Sequence, residues 1–404
     1  MPVDRNIVVV GAGIGGLAAA LSLARAGVGV TVLERAPQLA EVGAGLQISP
    51  NASRILVGLG LQTALDAVAV TPEALVVHST RAGGALAEIP LGPAVARRFG
   101  APYWVIHRAD LQAALVDAVR ANPAIALHLD TRVDRMTAEP GSVRVEASVA
   151  GEARRFVTDG VVGADGVWSM VRTGTLGGPP ARYSGRMALR ATIPIDETPP
   201  EWHRKSGIWM APRAHLVHYP VRSGRELNLV AIVEGAWEDE SWSVPIERDD
   251  VVAMFDPVSG TRWPEAARAL ILSPRTWTRW ALAGVDPRFD WSGGPVTLLG
   301  DAAHAMLPFA AQGAAMAIED AAILAGEVAR PGIAVADAFA AYERLRKGRV
   351  SAVREFAETN GRIYHLGDAL AFLRDAGLRL ASGAQLLERQ AWIYGWSPEG
   401  TRPL

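Results

Sequence analysis

The segment that most constrains this chain is Ile7-Val8-Val9-Val10, then Gly11-Ala12-Gly13-Ile14-Gly15-Gly16, then an uncharged run to Ala24. A second apolar strand pattern, Val30-Thr31-Val32-Leu33, ends on Glu34. The order reads as strand, glycine turn, helix, strand. In a GxGxxG turn the first glycine closes the bend, the second lets a pyrophosphate approach the backbone, and the third lets helix and strand pack closely. The free N–H groups at the helix start face anionic phosphates. Glu34 stands where a carboxylate accepts ribose hydroxyls. Gly11, Gly13, Ile14, Gly15, Gly16 and Glu34 are therefore expected at a dinucleotide. The unit does not separate NAD from FAD.

The uncharged stretch Ile7–Ala24 is 18 residues long, which also suits a signal h-region or a membrane span. Its glycines and the strand that follows argue for the nucleotide-binding unit, and no other stretch is as long and uncharged. The expectation is a cytoplasmic protein without a membrane segment. The 404 residues, 50% of them hydrophobic, can bury a large core in more than one domain. A net charge of −2 offers no footprint for nucleic acid. The absence of cysteine excludes disulfides, thiolate metal sites and cysteine catalysis, and no metal site is expected.

Further along, Asp110–Arg120 has helical spacing, Val143–Ala147 alternates as a strand, and Arg155–Val162 leads into Gly163-Ala164-Asp165-Gly166. From about Tyr183 the apolar segments become short and β-like: Ala188–Ile193, Leu216–Pro220, Leu227–Val233. Eight of the twelve tryptophans lie between Trp202 and Trp291, and core packing accounts for most of them. After residue 300 the chain is mainly helical, and Asp337–Thr359 alternates apolar and charged faces that could cover the body or a second subunit. The expected fold is α/β: a discontinuous Rossmann-like FAD-binding domain of the GR2 type over 1–75, 100–182 and 281–345. Into it a mixed β-sheet substrate domain is inserted over 76–99 and 183–280, and a C-terminal helical region follows over 346–404.

Three later pieces carry chemistry. Arg108 opens a helix and could reach a pyrophosphate or ribityl chain, or be a surface arginine with Asp110 as the N-cap. Asp165 sits in an Asp-Gly turn before Ser169 and Arg172, where it could hold backbone amides and a diphosphate. The segment Gly300–Asp320 follows the strand Val296–Leu299. It offers Asp301 to a ligand polyol, then a Pro308–Gln312–Gly313 loop, then a helix from Ala314 to Ala325. The N-terminus of that helix suits the anionic acceptor of a reduced isoalloxazine, a need that nicotinamide lacks.

The set GAGIGG with Glu34-Arg35, Arg108, Gly163–Gly166, Gly300-Asp301-Ala302-Ala303-His304 and Gln312-Gly313 resembles the group A flavoprotein monooxygenases, the para-hydroxybenzoate hydroxylase superfamily. The pieces occur in that family's order along the whole chain. Gly43-Ala44-Gly45-Leu46-Gln47, His215–Pro220 and Glu240-Ser241-Trp242-Ser243 are closer still to the phenol-carboxylate hydroxylases, the enzymes like 3-hydroxybenzoate 6-hydroxylase and salicylate hydroxylase. The resemblance implies FAD, with Glu34 on the adenosine ribose, Arg108 on the ribityl–pyrophosphate region, Asp301 on the ribityl chain, and Gly313 and Ala314 at the ring. It adds Arg35, Gln47, Val133, Asp165 and Gln312 to the cofactor set. It also implies NADH or NADPH as hydride donor without a Rossmann domain of its own, which suits a chain with one GxGxxG. A homodimer is a further expectation.

In that family a reduced flavin and O2 give a C4a-hydroperoxide, which hydroxylates an activated ring carbon of a small phenolic substrate. The protein must exclude water and deprotonate the phenol. The resemblance implies His215 as base and Tyr219 as substrate contact. On a strand, positions four apart share a face, so one pocket can take both, while His218 points away. Gln47, Arg190 and Pro308 are the expected substrate contacts, with Arg213 as an alternative to Arg190 for a carboxylate. Pro308 and Phe309 stand where some relatives carry a polar Gln or His, which disfavours a pyridine substrate. Two alternatives stay open: the same fold oxidising a non-phenolic polyketide or terpenoid, and a non-catalytic FAD-fold scaffold.

Overall fold

The computed structural model describes residues 5–39, 45–82, 84–239, 241–259 and 263–401. Gly43, Ala44 and Glu240, part of the resemblance above, lie outside them. Asn6–Val10 forms the middle of a six-stranded sheet, because its β-branched residues are buried on both faces. The strand order is Ser292–Gly293, Val296–Leu298, Gly160–Gly163, Asn6–Val10, Gly29–Leu33, Ile125–His128. All neighbours are parallel except the edge pair Ser292–Gly293 with Val296–Leu298. The alanine-rich helix Ile14–Arg25 packs between the helices Gly313–Val328 and Arg108–Ala121. The uncharged stretch is thus shared between a strand and a helix. No helix among the described residues is long and apolar enough to cross a membrane.

A three-stranded antiparallel sheet, Thr131–Glu139, Ser142–Val149 and Glu152–Thr158, stands beside the first. The stretch expected to run from Arg155 to Val162 is divided between these two sheets. Thr158 Oγ1 donates to the carbonyls of Asn6 and Gly160 at 2.7 and 3.0 Å, and the chain changes sheets there.

The third sheet has eight strands in the order Ser243–Glu247, Thr276–Gly284, Arg182–Pro194, Glu226–Glu234, Ala214–Val221, Lys205–Ala211, Ala74–Ser79, Ala85–Pro90. It is mixed, since Lys205–Ala211 runs parallel to Ala74–Ser79 and the other pairs are antiparallel. Trp202, Trp209, Trp263 and Trp277 fill its core, while Trp242 is 46% exposed. The divisions expected at 75/76, 182/183 and 280/281 each fall inside a strand of this sheet. The one at 345/346 falls inside the helix Val335–Tyr364. Composition changes along a chain do not register where strand pairing begins.

That 30-residue helix lays Ala338, Phe339, Tyr342, Arg346, Val350, Val353, Ala357 and Gly361 against the body of the molecule. It crosses the helix Gly313–Val328 and ends at His365, beside the eight-stranded sheet.

Candidate functional site

Two cavities meet at the carboxyl ends of the parallel strands, where an open α/β sheet places its ligands. One, about 460 Å³, runs over Gly11, Glu34, Arg35, Val133 and Asp165. The other, about 270 Å³, is lined by Ile14, Gly15, Gln47, Asp301, Gly313 and Ala314, and on its far side by Arg190, His215, Tyr219 and Pro308. Gly13, Arg108, Ala164 and Gly166 line both. The two are one elongated trough with an arginine and a glycine turn at its waist.

Local chemistry explains the walls. Gly11 has φ +103°, and a Cβ there would stand 2.5 Å from the Ala164 carbonyl oxygen. A Cβ on Gly16 would stand 2.0 Å from the Gly11 carbonyl oxygen. Gly16 lines neither cavity, so its part is helix–strand packing. A Cβ on Gly13 would meet nothing within 4 Å, because that position faces the waist of the trough. Gly13→Val is therefore expected to leave the melting temperature of the cofactor-free protein nearly unchanged. It should lower FAD affinity by at least tenfold, since the branched side chain occupies the waist (about 1.4 kcal/mol per decade). Titration of cofactor-free protein with FAD, followed by fluorescence, checks this.

Glu34 accepts from the amides of Ala12 at 2.7 Å and Ala36 at 2.9 Å, which fix its carboxylate at the rim. Arg108 begins the helix Arg108–Ala121, whose N-cap is His107 Nδ1 accepting from the Ala109 amide at 3.2 Å. Asp110 is not the cap; it pairs with Arg222. Asp165 accepts from Ser169 Oγ at 2.6 Å and the amides of Met170 and Val171 at 2.7 and 3.1 Å. Arg172, 1% exposed, donates to the carbonyls of Pro179, Ala302 and Val167, and so ties that turn to the segment carrying Asp301.

Beneath the Gly300 segment lies a buried polar network with few signs in the sequence. Asp320 accepts from Arg346 Nε at 2.7 Å and the Gly300 amide at 3.1 Å, and pairs with His304 Nε2 at 2.6 Å. Burial would raise the Asp320 pKa, but His304 and Arg346 outweigh it and hold the carboxyl at about 2. Glu319 takes Arg346, Arg349 and Asn51 Nδ2. Gln312 is drawn into this network rather than the trough: its amide bonds Ser49 Oγ at 2.9 Å and Asn51 Nδ2 at 3.1 Å, and it is 3% exposed. Its side chain supports the loop from below, leaving Gly313 and Ala314 at the cavity.

The far wall comes from the eight-stranded sheet. His215 and Tyr219 share the face of Ala214–Val221 that lines the cavity. His218 faces the other way, against Trp202 at 4.4 Å between ring centroids, and burial followed by His78 lowers its pKa to about 3. A Cβ on Gly45 would stand 2.4 Å from the Tyr219 ring, so the glycine lets that ring reach the cavity. Gln47 Oε1 accepts from Tyr103 Oη at 2.6 Å, which turns its NH2 group to other partners. Arg190 lies over Trp280 at 5.4 Å. Arg213 lies off the cavity, 63% exposed and paired with Glu234 at 3.2 Å, so of the two candidate carboxylate anchors only Arg190 lines it. Pro308 lines the cavity, whereas Phe309 turns into the core against His215 and His365.

Electrostatics separate the two candidate catalytic groups. Burial, then His365 and Arg186, hold His215 well below its ordinary 6.5, so it is a neutral imidazole able to accept a proton. Burial raises Tyr219 far above its ordinary range, against the opposing effect of Arg190, so it stays a phenol that donates. Asn51, Arg346, Glu234 and His365 were not legible as site residues. Only the Glu319-Asp320 pair inside a motif-bearing segment hinted that cations must approach it.

The trough fits FAD on these observations: an open glycine waist for a pyrophosphate, a fixed carboxylate at one end, and Asp301 with a helix N-terminus at the other. Comparison with known proteins agrees. The model of a family described as "FAD binding domain" matches residues 4–357. The chain is 37% identical over 399 residues to 3-hydroxybenzoate 6-hydroxylase of Polaromonas naphthalenivorans, covering 98% of this chain and 97% of that protein. It is 38% identical over 395 residues to 3-amino-4-hydroxybenzoate 2-monooxygenase of Streptomyces cremeus, covering 97% and 95%. Among solved structures, a salicylate hydroxylase in complex with substrate superposes with a TM-score of 0.81 at 24% identity, covering 98% of this chain and 97% of that one, a likeness of fold. The residues around the trough and these relatives lead to one conclusion: the chain belongs to the FAD-binding family of the group A flavoprotein monooxygenases.

Proposed function

We propose that this protein uses FAD, NADH or NADPH, and O2 to hydroxylate a small phenolic acid of the hydroxybenzoate or salicylate type. The observation that carries the reading is one cavity holding both Asp301, Gly313 and Ala314 and the His215–Tyr219 pair. When bound, FAD would supply hydride acceptance and oxygen activation. Gly13, Arg108 and the helix start at Ile14 would bind its phosphates, Glu34 the ribose with Arg35 and Val133 alongside, and Asp301 the ribityl chain. Asp165 and Gln312 would hold the turns that shape this trough.

The rest is work for side chains. His215 takes the phenol proton, because a phenolate is the better carbon nucleophile. Tyr219, kept protonated by burial, donates a hydrogen bond to the substrate. Arg190 and the Gln47 amide face the carboxylate. Pro308 and the aliphatic wall of Val217, Val230 and Ile232 keep water from the ring.

The test is a panel of 3-hydroxybenzoate, salicylate, 3-amino-4-hydroxybenzoate and non-phenolic aromatics given to the FAD-loaded protein. Expected is NADH or NADPH oxidation stimulated by a phenolic acid, with one atom from isotopically labelled O2 in the product. Nicotinamide oxidation that yields only peroxide with every phenol, or turnover confined to non-phenolic compounds, would sink the proposal.

A further inference from the structure

We propose that His365 and Glu234 position the base at His215, fixing its tautomer and giving the substrate proton an exit; this rests on the reading of His215 as base. Neither residue lines the cavity. His215 Nδ1 lies 2.8 Å from His365 Nε2, and His365 Nδ1 lies 3.4 Å from Glu234 Oε1. Exposure rises along the chain, from 2% for His215 through 4% for the His365 side chain to 29% for that of Glu234.

Charge fixes the protons. Glu234 also meets Arg213 at 3.2 Å and Arg186 at 3.5 Å. Although burial opposes it, His365, Arg213 and Arg186 hold its carboxyl below the usual range, so it is ionised and only accepts. His365 Nδ1 must then carry hydrogen. Burial holds His365 at about 4, so it is neutral at ordinary pH and its Nε2 has a lone pair. That lone pair accepts from His215 Nδ1–H, which leaves the lone pair of His215 on Nε2, the nitrogen available to substrate. The rings of Phe309 and Tyr364 pack against the pair, and the Arg186 charge disfavours protonation of both imidazoles. An imidazole in the opposite tautomer would present N–H to the phenol and could not act.

The transfer balances without a further reactant. The substrate O–H bond breaks and its electron pair stays on oxygen as phenolate. The proton bonds to His215 Nε2, the Nδ1 proton of His215 passes to His365 Nε2, and the Nδ1 proton of His365 passes to Glu234. The two arginines keep Glu234 from retaining the proton, and its partly exposed carboxylate returns it to water.

The experiment mixes oxidised FAD-loaded enzyme, without nicotinamide, with a nitro-substituted hydroxybenzoate whose phenolate is coloured, across a pH series below the phenol's own pKa. Phenolate is expected to appear at least tenfold more slowly in His365→Gln and in Glu234→Gln, with the flavin spectrum and melting temperature unchanged. Added imidazole should restore part of the rate in His365→Ala, which a purely structural role would not allow. If His365→Gln unfolds, Glu234→Gln on its partly exposed side chain decides. Wild-type rates in both variants beside a slow His215→Asn overturn the positioning role and leave the base in place. A His215→Asn as fast as wild type removes the base itself, and this inference with it.

Discussion

Replacing His215 with asparagine is expected to lower turnover of a phenolic acid near neutral pH by about a hundredfold or more, the usual contribution of a positioned general base. The protein should stay folded and retain FAD, because His215 lies on the wall opposite Asp301 and the glycine turn. The pH dependence carries the stronger test. Burial, His365 and Arg186 hold the imidazole well below 6.5, so it is neutral through the neutral range, and the acid limb expected of it as the proposed base lies below pH 6.5. The variant depends on ionisation of the phenol in water, for which the ordinary pKa is about 10. Its rate should rise steadily with pH, and the gap from wild type should narrow as pH approaches that value. Profiles of kcat and kcat/KM would show this. Parallel profiles at nearly equal rates would remove His215 from the chemistry.

Asp320→Leu should have the largest effect on stability. Asp320 is wholly buried and serves Arg346, His304 and the Gly300 amide. Removing the carboxylate leaves the Arg346 guanidinium in the interior with Glu319 as its one remaining anion among the described residues. Breaking one side of such a buried arrangement costs about 3–5 kcal/mol. Freeing the Gly300 amide also loosens the turn that aims Asp301 at the trough, so FAD should dissociate early in unfolding. Urea unfolding followed by tryptophan and flavin signals together checks both points. By contrast, the exposed Arg98–Glu388 pair, with side chains more than half accessible, should scarcely move the midpoint when Glu388 becomes glutamine. Equal midpoints for Asp320→Leu and wild type would refute the account of the network. The pH sign is also defined. The Asp320 pKa is depressed from 3.8 to about 2, so its contribution is fully present above pH 3.8 and lost as pH falls through 2.

Much of this molecule was legible in its sequence where the cause is local. A strand, a glycine turn and a helix are specified by neighbours, so Gly11, Gly13 and Gly16 could be assigned different tasks before any coordinates. Alternation along Ala214–Val221 put His215 and Tyr219 on one face and His218 on the other for the same reason. The reading was coarser where distant residues decide. Gln312 was expected at the cofactor, but Ser49 and Asn51, more than 250 positions away, draw its side chain under the loop. Arg213 looked equivalent to Arg190, yet only Arg190 sits on the stretch of strand that lines the cavity.

The FAD-binding framework is written locally, because phosphate turns, strand alternation and helix starts are short-range chemistry, and the order of those pieces carries the family resemblance that implied the class of enzyme. The company each titratable group keeps is set by long-range packing. His365 reaches His215 across 150 positions and Glu234 across 131. Arg346 reaches Asp320 from a helix whose sequence looks like an ordinary charged surface. A buried charge or imidazole is governed by the nearest few ångströms of protein, and the order of residues along the chain does not contain that distance.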